Sequence, residues 1–70
     1  MIDQAEGFQV KLLLTIDEAA AALSLGRTLL YELLKRNEIA SIKVGRVRRV
    51  PVIALREYVL RRLDDAPKAS

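Results

Sequence analysis

The sequence predicts a mainly α fold with one small β-hairpin, and three observations carry that prediction. A capping-box tetrapeptide, Thr15-Ile16-Asp17-Glu18, opens a run of apolar residues at helical spacing. Two short β-branched runs flank Gly45 in Ile42–Val50, IKVGRVRRV. Pro51 then stands where a further helix starts, with Leu55, Tyr58, Val59 and Leu63 as its apolar stripe.

Composition narrows the functional classes. Seventy residues accommodate one small domain. At 51% hydrophobic and 30% charged, the chain is too apolar for a disordered tail and too charged for a membrane span. Its longest apolar run, Ala19–Leu23, falls far short of the ~20 residues a bilayer requires. Met1–Gly7 carries Asp3 and Glu6 where a signal peptide carries Lys or Arg, so a bacterial cytoplasmic or nucleoid location is expected. With no Cys and no His, disulfides, thiol nucleophiles, the commonest general base and nearly every structural zinc arrangement drop out. No catalytic residue, metal or cofactor is expected, and the chain is not read as an enzyme.

The net charge is +3, and its distribution says more than its size. Residues 1–26 hold one base against four acids, net −3, whereas residues 27–49 hold seven bases against two acids, net +5. Residues 50–70 add four bases and three acids, net +1. Clustered cations are the electrostatic footprint of a nucleic-acid partner, although charge runs on small proteins are also ordinary solvated faces.

Along the chain, residues 1–12 read as a partly flexible lead-in, 13–63 as the folded domain and 64–70 as a flexible tail. Phe8, Val10 and Leu12 alternate with polar residues, as in a short edge strand or an extended lead-in pinning the only Phe. Thr15 and Glu18 cap the first helix, whose apolar face is Ile16, Ala19, Ala20 and Leu23. Its four alanines allow close approach of a partner helix, and Asp17 and Glu18 suit the positive end of the helix dipole. Ser24-Leu25-Gly26 forms a tight turn, with Gly26 free to take positive φ or to act as a weak N-cap.

A second helix, Arg27 to Arg36, turns Leu30, Leu33 and Leu34 inward and leaves a polar, mainly basic face of Arg27, Thr28, Tyr31, Glu32, Lys35 and Arg36. Asn37 suits a left-handed C′ position. In the hairpin, a three-residue loop Gly45-Arg46-Val47 puts Ile42, Val44, Arg48 and Val50 on one face. A two-residue loop Gly45-Arg46 instead aligns Ile42, Val44, Val47 and Arg49. The first is preferred because it buries Val50 beside the following helix. Either register crowds Lys43, Arg46, Arg48 and Arg49 into a two-stranded ribbon, which is also an ordinary edge-strand defence against aggregation. Leu29 and Leu60 fall off the core stripes and are candidates for contact with another subunit or with a thymine methyl, and Phe8 is a further candidate for subunit contact.

Two short helices joined by a tight turn, the second with a cationic outer face, followed by a cationic hairpin, match a helix-turn-helix with a wing. The runs LLTIDEAAAAL from Leu13, RTLLYELLKRNEI from Arg27, IKVGRVRRVP from Ile42 and the closing ALREY resemble the excisionase-type, MerR-like winged helix-turn-helix family. The chain departs from that pattern in having Ser24 and Asn37 where Gly is usual, and Gly26 where a capping Ser is usual. Arg48 takes the place of an aromatic residue, and Leu29 that of a small or polar one. The resemblance implies sequence-specific binding of double-stranded DNA, with Arg27, Thr28, Tyr31, Glu32, Lys35 and Arg36 on the recognition helix and Gly45, Arg46 and Arg48 in the wing, where Lys43 and Arg49 are further DNA-facing cations. It further implies a recombination directionality factor that bends attachment-site DNA, associates with further copies on it and steers an integrase toward excision. A small transcriptional regulator with the same fold and a protein-interaction or DNA-packaging adaptor are the alternatives.

From residue chemistry alone, Arg27 and Thr28 at the helix start are the base readers: Arg pairs bidentately with guanine, and Thr touches a base edge or methyl. Tyr31, Lys35, Arg36, Lys43 and Arg49 suit phosphate, and Arg46 suits the minor groove. Glu32 is expected to pair with Lys35 or Arg36 on its own helix.

Overall fold

Thr15 holds extended backbone, and its hydroxyl accepts a hydrogen bond from the Glu18 N–H at 3.1 Å while the Glu18 carboxylate accepts the Thr15 N–H at 3.0 Å. The expected capping box thus starts helix α1, Ile16–Leu23. This is a computed structural model that describes residues 11–65. The chain continues through α2 (Arg27–Lys35), strands β2 (Ile42–Val44) and β3 (Val47–Pro51) and helix α3 (Val52–Asp65), and strand β1 (Leu13–Leu14) precedes α1. Three helices and an antiparallel hairpin make the winged helix-turn-helix that the sequence predicts.

Both short helices stop in the same way. After α1, Ser24 takes the left-handed region (φ 57°), its N–H donates to the Ala21 carbonyl at 3.0 Å and the Leu25 N–H donates to Ala20 at 2.9 Å. After α2, Asn37 does the same (φ 61°), donating to Leu34, while Glu38 donates to Leu33. These paired bonds are Schellman caps that normally use glycine. Gly26 is therefore released from the positive-φ role and serves as the N-cap of α2.

The sheet runs β1-β3-β2, antiparallel throughout, with Leu14 opposite Val50 and Leu13 opposite Pro51. The preferred hairpin register is wrong. Ile42 pairs with Arg49, Lys43 with Arg48 and Val44 with Val47, leaving the two-residue loop Gly45-Arg46. Positive φ at Gly45 alone (63°) matches the type II′ turn, whose twist suits the strands. Val50 is fully buried in this register too, because alternation along β3 puts it on the core side, opposite Leu14 of β1, whichever loop closes the hairpin.

Leu30, Ile39 and Val50 are the fully buried centre of the core, surrounded by Leu14, Ala19, Ala20, Leu33, Leu34, Ala54 and Leu55. The expected stripe of α3 is corrected: Ala54 and Leu55 are buried and Tyr58 half-buried, but Val59 and Leu63 are exposed. The core ends at Tyr58 while the helix continues to Asp65, so its last two turns have no core beneath them. Among the described residues the first strand is Leu13–Leu14, and Leu12 accepts a hydrogen bond from the Val52 N–H at 2.9 Å. Phe8 and Val10 lie outside the described residues.

Candidate nucleic-acid interface

Helix geometry places the polar residues of α2 in two stripes. At 100° per residue, Arg27, Tyr31, Lys35 and Thr28 occupy one outward arc of about 100°, which begins with Arg27 beside the buried Leu34 and turns away from Leu30 and Leu33. Glu32 and Arg36 lie on the next flank, and Leu29 lies beyond them, away from the Arg27 stripe. All seven are exposed.

Arg27 is held in place before any ligand arrives. Its Nε lies 3.0 Å from Asp17 Oδ1, its guanidinium donates to the Tyr31 hydroxyl at 3.4 Å, and its Cζ stands 5.8 Å from the Tyr31 ring centroid. The Tyr31 hydroxyl first, and the Asp17 carboxylate second, push the Arg27 guanidinium further above its ordinary range. The sequence gives Asp17 only a helix-dipole role. No periodic signal reveals its partner, because the pair closes across the turn between the two helices.

Arg36 is differently engaged, 3.8 Å from Glu32 and 3.7 Å from Glu38. Of the two partners expected for Glu32, Lys35 and Arg36, it is Arg36 that pairs with it, and Glu38 adds a second acid. Lys35 makes no ion pair with a described residue. The N-terminal end of α2 is left open: Gly26 offers no side-chain cap and its first turn contains no acid.

The wing has two chemically distinct faces, set by the two-residue loop. Ile42, Val44, Val47 and Arg49 share one face. Lys43 and Arg48 stand directly opposite each other on the other, the face that Val50 continues into the core. Arg46 occupies the tip beside Gly45. Like charges directly opposite across strands destabilise an antiparallel pair, and neither Lys43 nor Arg48 is neutralised by a described acid. Such a pair is stabilised by an anion arriving from outside. Arg49 instead donates to the Arg48 carbonyl at 3.0 Å.

Thr15 and Glu18 lie outside this surface and act in the α1 cap. Lys11 hydrogen-bonds to Glu18, and that bond, followed by the bond from the Thr15 backbone, holds the Glu18 carboxyl below the usual carboxylate range. No helix of the described residues is long and apolar enough to cross a membrane.

The profile of the helix-turn-helix domain family matches residues 13–63. The chain is 47% identical over 51 residues to a Saccharopolyspora erythraea protein named a probable excisionase, a match covering 73% of this chain and 52% of that one. It therefore spans about half the length of that relative. It is also 41% identical over 54 residues to an excisionase of Streptomyces ambofaciens, covering 77% of this chain and 87% of the relative. No solved structure gives a significant match. Its winged helix-turn-helix architecture, the family match over 13–63 and the extent of the Streptomyces match together show that the chain belongs to the excisionase-type family of helix-turn-helix domain proteins.

Proposed function

We propose that the protein binds a specific double-stranded DNA site and acts there as a recombination directionality factor, steering an integrase toward excision. The observation that carries the DNA-binding part is the Lys43–Arg48 pair, two cations set directly opposite each other with Arg46 at the tip. The family relationship supports the recombination part, since the two relatives bear the names excisionase and probable excisionase. Binding, bending and self-association on DNA, without catalysis, make up the activity.

In this reading α2 enters the major groove. Arg27, aligned by Asp17 and Tyr31, pairs with guanine and Thr28 touches a neighbouring base edge. Holding the guanidinium in one direction reduces the side-chain entropy lost on binding, although the Asp17 pair must loosen as DNA is engaged. Tyr31, Lys35 and Arg36 contact phosphates, and Arg36 remains partly neutralised by its two acids. Lys43 and Arg48 grip the backbone, Arg49 adds a further phosphate contact, and Arg46, carried by the Gly45 turn, enters the minor groove.

The test is titration of duplexes bearing a selected site or a scrambled one, at several salt concentrations. Arg46→Ala is expected to weaken binding to both and to lower the salt slope by about 1. Arg27→Ala is expected to cost roughly 1–3 kcal/mol on the selected site and to relax the preference at one base pair. Unchanged affinity and selectivity in both variants would overturn the assignment of this surface.

A further inference from the structure

Helix α3 carries a second apolar stripe that the core does not use. Ile53, Val59, Leu60 and Leu63 fall within about 120° of one another on the helix and are exposed, whereas Ala54, Leu55 and the half-buried Val52 pack on the core. Ile53, Leu60 and Leu63 are 65%, 61% and 65% exposed. The single charge within that stripe is Arg56. Beside it, between α1 and α3, lies an open groove of about 580 Å³ walled by Ala22, Leu23, Val52, Leu55, Val59 and Leu60, with Arg56 as its only charged lining residue.

We propose that this face is a twofold contact between two copies of the chain, in which α3 of each copy lies antiparallel in the groove of the other, centred on Leu60. The surface is self-complementary: it presents a groove and, one turn along the same helix, a leucine with no core beneath it to fill the groove of a second copy. Charge fixes the direction. Parallel pairing would stack Arg56 on Arg56 and bring the Asp64-Asp65 ends together. Antiparallel pairing about Leu60 sets Arg56, four residues before the centre, against Asp64 of the second copy, four residues after it, and does so twice. It also opposes the two helix dipoles. The small Ala22 side chain on the α1 wall lets the incoming helix approach closely.

The contact leaves the cationic surface open. Asp17 meets Arg27 on one flank of α1, whereas Ala22, five residues and about 140° further round, faces the groove on the other. A dimer so formed would carry two α2 helices related by a twofold axis, a geometry suited to bridging two sites. The proposal stands independently of the DNA-binding reading. It places Leu60 at the centre of self-association and leaves Leu29 outside it.

Sedimentation equilibrium of the full chain, from about 10 µM to about 1 mM, suits the weak affinity of so small a contact. The mass is expected to rise from that of the monomer toward twice it. Leu63→Glu should keep the helical circular dichroism and remain monomeric throughout. Arg56→Asp should weaken the dimer, and the exchange Arg56→Asp with Asp64→Arg should restore it, which a merely structural effect would not do. Because the chain has no cysteine, Leu60→Cys should form a disulfide-linked dimer at least tenfold faster than Thr28→Cys under mild oxidation. A monomer at about 1 mM, including one whose groove is filled by its own residues 1–10, would overturn the proposal. So would a dimer that survives Leu63→Glu, a charge exchange that restores nothing, or equal rates for the two cysteines.

Discussion

Helices α1 and α2 are nearly the same length, stop with the same left-handed cap and pack on one core, yet their N-terminal ends are built oppositely. The start of α1 has a complete capping box, two acids in its first turn and Lys11 bound to Glu18. The start of α2 has a glycine N-cap with no side-chain cap hydrogen bond, no acid in its own first turn, and as its first residue an arginine that pairs with Asp17 of α1. At α1 the free N–H groups and the helix dipole are satisfied from within, which stabilises the fold. At α2 they have no side-chain partner, and under the proposed DNA-binding role the phosphate anion is the ligand that suits them. On the proposed reading the helix-turn-helix divides its labour at two chain positions eleven residues apart, Thr15 and Gly26.

The largest effect on folding should come from undoing the first of these ends. Thr15→Ala removes the cap of α1 and is expected to cost about 1 kcal/mol. In a chain of this length that lowers Tm by roughly 4–8 °C in a calorimetric scan. Affinity for DNA, measured well below that temperature, should not change. A large fall in affinity would mean that the two ends are not separate in function.

Next in size are the left-handed caps. Ser24→Gly and Asn37→Gly each relieve a Cβ held at positive φ, partly offset by the greater freedom of glycine in the unfolded chain. A gain of about half a kcal/mol for each is expected, read as a small rise in Tm.

Smaller still in stability, but sharper for the comparison, is Gly26→Asp, which gives α2 the kind of end that α1 has. A Cβ at Gly26 meets nothing within 4 Å, so the side chain fits. It should stabilise the fold by a few tenths of a kcal/mol. It should also weaken DNA binding, because a carboxylate then occupies the positive end of α2. Stability and affinity moving together would contradict the division.

The pH dependence gives a fourth test. Lys11 and the Thr15 N–H lower the folded-state pKa of Glu18, so its contribution is present above the unfolded value and is lost as pH falls through the folded one. Acid denaturation should therefore show a limb below the ordinary glutamate range that Glu18→Gln flattens, while neutral glutamine retains the capping geometry.

Much of this architecture was legible in the chain because the signals are local. Thr15-Ile16-Asp17-Glu18 specifies its cap within four residues, Asn37 its left-handed turn within one, and Glu32 its pairing with Arg36 within one helical turn. What was misread depends on distant partners. Val50 points to the longer hairpin loop when its burial is tied to the following helix alone, whereas it also pairs with Leu14 of β1, 36 positions away. Val59 and Leu63 have the periodicity of a core stripe, but periodicity cannot show that the core ends at Tyr58. Asp17 beside Arg27 and Ile39 at the centre of the core left no periodic trace, since each is placed by a turn rather than by a repeating pattern.

The central claim, that the open end of α2 and the cationic wing together recognise a DNA site, is tested most directly by selecting bound duplexes from a random pool. The enriched site would then be titrated against scrambled DNA at several salt concentrations. The account predicts one enriched motif bound about 1,000-fold or more tightly than scrambled DNA. A pool that never enriches, with binding that disappears as salt rises, would contradict it and leave these cations as a surface for an acidic protein.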